Sequence, residues 1–251
     1  MKNIYRWDNL TRPEIEKLVQ KDAIVIIPTG STEQHGLHLM VGSDALISTA
    51  LSERVAEVLD KEYGMPAVVA PTLSVTNSIH HMSFPGTITL KPETYMQMLL
   101  EYCECLAHHG FKKIVMLNGH GGNINPTETA IININEKLGF PVYFNDYCWG
   151  SEKDMDEILE TQKGGLHAGE MENSLALYFF PDLVDPCYKE QKTGHYTKET
   201  VEPSAPCTFH RMEEMTPTGA LGNTYASSPE KGERLAKAMV RNMAKMFSEL
   251  W

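Results

Sequence analysis

Apolar and polar positions along the chain follow two periods. Residues 23–27 (AIVII) form a compact β-branched run closed by Pro28 and Gly30, which predicts a buried strand. Residues 43–61 carry apolar side chains at Leu46, Ile47, Ala50, Leu51, Val55, Val58 and Leu59, the spacing of a helix. The pattern then repeats: strand 67–70 stopped by Pro71, helix 92–109 ended by Gly110, strand 113–117, helix 125–138 followed by Gly139, strand 141–144, helix 168–180 and a closing helix 228–250. Strands and helices alternating at this spacing predict βαβ units, hence an α/β fold with a mainly parallel sheet and helices on both faces. Residues 181–227 lack periodicity and are rich in Pro, Thr and Gly. They read as a covering segment within a single domain spanning 1–251.

Parallel sheets of this kind place their sites beyond the carboxyl ends of the strands. The first strand empties into Thr29-Gly30-Ser31-Thr32-Glu33-Gln34-His35-Gly36. In extended backbone Glu33 and His35 face the same way, an arrangement that suits ligands for a metal pair. Asp44 opens the next helix, where a carboxylate caps free N–H groups. Beside Glu33 and His35 it is also placed to bridge two ions ~3.5–4 Å apart. The strand at 113–117 empties into Asn118-Gly119-His120-Gly121-Gly122-Asn123. A tight turn needs those glycines but not the imidazole, which suits a neutral nitrogen ligand.

A third cluster, His167-Ala168-Gly169-Glu170-Met171-Glu172-Asn173-Ser174, starts a helix. Glu170 either complements the helix dipole or, beside a metal, serves as a carboxylate ligand, which leaves His167 for proton transfer. Glu172 cannot share the direction of Glu170 on a helix, so a supporting contact or a helix-start hydrogen bond is expected for it. His80 and His81 precede the turn Ser83-Phe84-Pro85-Gly86-Thr87, and either one lines the site or both are ordinary core or surface histidines. Ser78, within Asn77–Met82, and Trp149 are candidate substrate contacts. His195 and His210 receive no role.

Composition narrows the function further. The net charge is −11, which argues against nucleic-acid or anionic-membrane partners, since both demand a basic footprint. No apolar run approaches the ~20 residues of a membrane span. The amino-terminal stretch is charged where a signal peptide needs apolar residues, so a cytoplasmic location is expected. Five cysteines, among them Cys207, form no disulfide framework and are expected to be packed, reduced thiols.

Taken together, PTGSTEQHGLHL, GSD, FPGT, NGHGGN and HAGEMENS occur in order over about residues 24–185, with TPTGALGN near 216–223. This set resembles the creatininase (creatinine amidohydrolase) family, whose branches act on creatinine, formamides, a peptide and inosose-type sugars. The resemblance implies a three-layer α/β/α domain, a two-metal hydrolase site and a homohexamer. It places Glu33, His35, Asp44 and His120 at the metals, with Asp44 as the bridge, and His167 at proton transfer. The chain departs from creatininase proper at Gly122 and Leu166, where that branch carries acidic residues. Glu170 then looks like the replacement carboxylate, and creatinine is not the expected substrate.

Mixed nitrogen and oxygen ligands suit Zn, Mn or Fe. The expected reaction is metal-dependent hydrolysis of a C–N amide bond in a small cyclic amide or formamide. The alternative is ring opening of a cyclic keto-sugar by the same centre. No G-x-S-x-G elbow is present and no cysteine falls in the motif loops, so a protein nucleophile is not expected. A Cys-free, carboxylate-rich set also differs from closed structural zinc sites.

Overall fold

The computed structural model describes residues 2–190 and 208–251; His195, Cys207 and the middle of the 181–227 segment lie outside the described residues. Strands β1 (Ile24–Thr29), β2 (Ala67–Val69), β3 (Lys113–Asn118) and β4 (Val142–Asp146) pair in parallel in the order β2-β1-β3-β4. Every β1 residue is buried, as a central parallel strand covered on both sides requires. Alternation sends Ile24 and Ile26 to one face of the sheet and Val25 and Ile27 to the other.

The first face is covered by α2 (Ser43–Tyr63), α5 (Glu152–Ile158), α6 (Glu170–Phe179) and α8 (Pro229–Ser248), whose apolar residues join Ile24, Ile26, Val115 and Leu117 in one core. The second face is covered by α3 (Pro92–His108) and α4 (Ile124–Leu138), with Ile15, Leu18 and Val19 of α1 (Arg12–Gln20) at its margin. The result is the three-layer α/β/α arrangement expected from the alternation of elements. No helix among the described residues is long and apolar enough to cross a membrane.

The differences from the sequence pattern are local. Helices α1 and α5 are short, 9 and 7 residues, so each shows only about two turns of the pattern. Strand β4 runs on to Asp146 because Leu117 and Asn118 of β3 continue to pair with Asn145 and Asp146. Helix α6 starts at Glu170, since Ala168 just before it takes a left-handed backbone (φ 52°). Of the covering segment, the described carboxyl part contains α7 (Met212–Met215) and returns against the sheet's carboxyl edge.

The register sets the position of the site. β1 and β3 pair from Ile24↔Lys113 to Thr29↔Asn118, so they end level, and Asn118 pairs in turn with Asp146 of β4. The Thr29 hydroxyl donates to Asn118 Oδ1 at 3.1 Å across that edge. Three loops therefore leave one edge of the sheet together. Gly30 lets the first of them pass against the start of α2: a Cβ there would lie 2.3 Å from the Ala45 backbone nitrogen. Gly30→Ala is expected to lower stability by about 1–3 kcal/mol, the usual cost of overpacking, read as a shift in the urea midpoint.

Candidate metal centre

The loop after β1 holds Glu33 and His35 by pairing with its neighbours: Glu33 N–H donates to Val41 O at 2.9 Å, and His35 bridges to Leu37 and Leu39. Asp44 comes from the first turn of α2 and His120 from the loop after β3. These four side chains, drawn from two loops and a helix start, are buried together. Asp44 stands between the two imidazoles, with Oδ1 at 2.8 Å from His35 Nε2 and Oδ2 at 3.2 Å from His120 Nδ1. Glu33 Oε1 lies 3.2 Å from His120 Nδ1, 3.4 Å from His81 Nε2 and 3.4 Å from His167 Nδ1.

Backbone carbonyls fix the direction of each ring. His35 Nδ1–H donates to Glu33 O at 3.0 Å, His120 Nε2–H to Asn77 O at 3.0 Å, and His167 Nε2–H to Gln34 O at 2.8 Å. The outer nitrogen is thus engaged in each case, and the inner nitrogen faces the carboxylates. This is the arrangement by which metal-binding histidines are oriented. Both Glu33 carboxylate oxygens and Asp44 Oδ2 are buried and accept no hydrogen bond among the described residues. Such oxygens demand positive charge, since an isolated buried carboxylate is strongly disfavoured. The donor set therefore fits divalent cations of the Zn, Mn or Fe type.

The electrostatics carry the same demand. Burial opposes charge on His35, but the adjacent Asp44 carboxylate outweighs it and pushes the imidazole up to about 10. His120 is raised as well: burial is outweighed by Glu33 and Asp44. Burial works against the Glu33 and Asp44 anions, yet the surrounding imidazoles hold both carboxyls below the usual range. His167 goes the other way, because burial and the neighbouring His35 and His81 keep it neutral.

Glu170 does not join this cluster, which corrects the expectation from the sequence. Its carboxylate points to the opposite side of α6. There it accepts from Lys231 Nζ at 2.6 Å, Thr161 Oγ1 at 2.6 Å, and the backbone N–H groups of Glu160 and Thr161. Glu172 takes the inward direction: its Oε2 lies 3.9 Å from His35 Nε2, and it also accepts from Ala168 N at 2.5 Å and Tyr147 Oη at 3.2 Å. Inward donor atoms of His35, His167 and Glu172 lie within 4.8 Å of one another. Two residues apart on a helix, the two glutamates diverge by about 200°. Packing of α6 against α8 decides which of them faces in.

The remaining candidates divide. Ser78 sits behind His120, with its hydroxyl 3.1 Å from Nε2, and makes a short hydroxyl contact with Ser31. Trp149 packs edge-on against Phe144 at 5.4 Å, and the cavity wall beside it is formed instead by Tyr147 and Cys148. Neither lines the cavity. His80 and His81 both do. His81 accepts from the Gln34 amide at 2.7 Å, and Gln34 also donates to Gly219 O at 2.9 Å, tying the covering segment to the site. Asp146 on the cavity wall was hidden by ending β4 two residues early; its place at a strand exit was the available signal. At Gly122 a Cβ would lie 2.5 Å from Asn77 O and from His120 Nε2, so the backbone fills the space a side chain would need.

Cavity and cluster meet in a cleft of about 460 Å³ lined by Glu33, Asp44, His120, His167 and Glu172. Glu170→Gln, which breaks the buried pair with Lys231, should cost about 3 kcal/mol of stability. The metal-to-protein ratio of the folded variant should stay at the wild-type value. Thermal denaturation and elemental analysis of the purified protein check the two statements separately.

The family described as creatininase, creatinine amidohydrolase, matches residues 8–247. A mycofactocin precursor peptide peptidase of Mycolicibacterium smegmatis is 30% identical over 88% of this chain and 83% of its own length. A 3-dehydro-scyllo-inosose hydrolase of Thermotoga maritima is 25% identical over 97% of this chain and 83% of its own. A solved mutant creatininase of Zn-Zn type superposes with a TM-score of 0.82 at 26% identity, covering 98% of this chain and 97% of that one. With nearly its whole length matched by the family and its fold shared with a solved member, the chain belongs to the creatininase family of hydrolases.

Proposed function

We propose that this protein is a metal-dependent amidohydrolase that cleaves a C–N bond in a small cyclic amide or formamide, with Glu33, His35, Asp44, His120 and Glu172 holding two divalent ions. The observation that carries this reading is the set of inward-facing donors around the bare carboxylate oxygens of Glu33 and Asp44. Asp44 turns one oxygen toward His35 and the other toward His120, which suits a bridging carboxylate. When bound, two divalent ions supply a water-derived nucleophile at neutral pH and polarise the carbonyl under attack.

The chain's own residues supply the rest. His167 projects its free Nδ1 toward the cluster while Nε2–H is anchored on Gln34 O, so one ring nitrogen is available to take a proton and return it to a leaving nitrogen. Tyr147 and Ala168 N hold Glu172 in place, and Asn118 fixes the His120 loop by donating to His120 O at 2.7 Å. Amide chemistry is supported by the family description and by the peptidase among the relatives. Opening of a cyclic keto-sugar is the second reading, resting on the Thermotoga maritima relative. Family resemblance also supports a homohexamer.

Three outcomes are expected. Chelation should abolish hydrolysis across a panel of cyclic amides and formamides, and Zn, Mn or Fe should restore it; cleavage of keto-sugars alone would favour the second reading. Glu172→Gln should lower the metal content measured by elemental analysis while circular dichroism shows a folded protein. His167→Asn should keep its metal and lose ~10²–10⁴-fold in turnover, the usual worth of a general acid–base group.

A further inference from the structure

The cavity has two unlike halves. One is the metal centre. The other is built from Ile124, Leu166, Leu221 and the methionines Met212 and Met215 of α7. Helix α7 is not a loose flap: it packs on the turn Ile79–His81, which carries two of the cavity histidines, and Glu213 bonds the Ser83 hydroxyl. The apolar residues of α7 are thereby tied to the turn that carries His80 and His81. Methionine side chains there can adapt to the shape of a seated group.

Histidines apart, the charged side chains on the wall are all acidic among the described residues. Glu33, Asp44, Asp146 and Glu172 line the cavity, and no Lys or Arg does so among the described residues. Lys231 is committed to Glu160 and Glu170 and does not line the cavity. Asp146 is itself occupied, accepting from Asn118 Nδ2 at 2.9 Å and Cys148 N at 3.0 Å. Divalent ions would balance the carboxylates at the cluster. Among the described residues, a second anionic group further along a substrate would meet no guanidinium or ammonium partner on this wall, and recognising a carboxylate or phosphate requires one.

We infer that the substrate is an uncharged amide bearing an apolar aliphatic or aromatic substituent, seated against Met212, Met215 and Leu221 with its amide at the donor cluster, and that carboxylated and phosphorylated amides are excluded. The inference rests on the amidohydrolase reading and narrows its substrate class. A cavity of this size takes such a molecule whole.

Hydroxamates test it by binding, independently of turnover. The full-length protein, loaded with Zn and with its metal content measured, is titrated calorimetrically with acetohydroxamate, benzohydroxamate and the monohydroxamate of succinate. Burial of the phenyl ring should make benzohydroxamate bind at least ~10-fold tighter than acetohydroxamate. The succinate derivative should bind more weakly than acetohydroxamate. Met215→Ala should shrink the ratio between the first two about fivefold, and an unchanged ratio would remove the methionine from the substrate wall. Equal affinities, or tightest binding by the succinate derivative, would overturn the inference and leave the amidohydrolase reading standing. No binding of any hydroxamate to the metal-loaded protein would overturn both.

Discussion

Three carboxylates, those of Glu33, Asp44 and Glu172, are buried around one imidazole, that of His35. Their mutual repulsion and lost hydration would be prohibitive without concentrated positive charge nearby. The imidazoles of His35 and His120 answer part of that demand, drawn toward the charged form by the carboxylates they face. Bound divalent cations would answer it more fully. Much of the fold can be understood as the means of holding these like-charged groups together.

The means are mostly backbone. Parallel strands ending level bring three loops to one edge, and the close approach at Gly30 sets the Glu33 loop beside the start of α2. Three imidazoles are aimed by carbonyls of Glu33, Gln34 and Asn77 rather than by flexible side chains. A carbonyl fixed in a packed loop leaves little freedom to the ring that donates to it. The donor set is thereby preorganised, which keeps reorganisation small when charge changes at the centre.

The two glutamates at the start of α6 separate structure from chemistry. Glu172 faces the cluster. Glu170 faces away and joins Lys231, Thr161 and the backbone at Glu160, binding the loop that carries His167 to α8. Gln162 adds to this tie by accepting from Glu170 N at 2.8 Å. One helical turn thus presents a candidate ligand on one side and an anchor on the other.

Most of the fold was legible in the chain, because periodicity reports burial directly. The buried run 23–27, the helical spacing of 43–61 and the repeated stops at Pro and Gly give an α/β order that the sheet β2-β1-β3-β4 realises. The gathering of Glu33, His35, Asp44 and His120 at one edge was legible too, since all four follow strand exits that a parallel sheet brings together. The choice between Glu170 and Glu172 was not. Sequence spacing fixes the angle between them but not the rotation of the helix, which the packing of α6 on α8 decides. The side chains of Ser78 and Trp149 stand near the site in sequence but turn behind His120 and onto Phe144, a direction that local spacing does not fix. The apolar wall of Met212, Met215 and Leu221 was also out of reach of local patterns, because it forms only when a segment without periodicity folds back over distant loops. The sequence by itself determined the order of layers and the edge where the chemistry gathers. Tertiary packing decided which donors face inward, since direction depends on contacts between elements far apart in the chain.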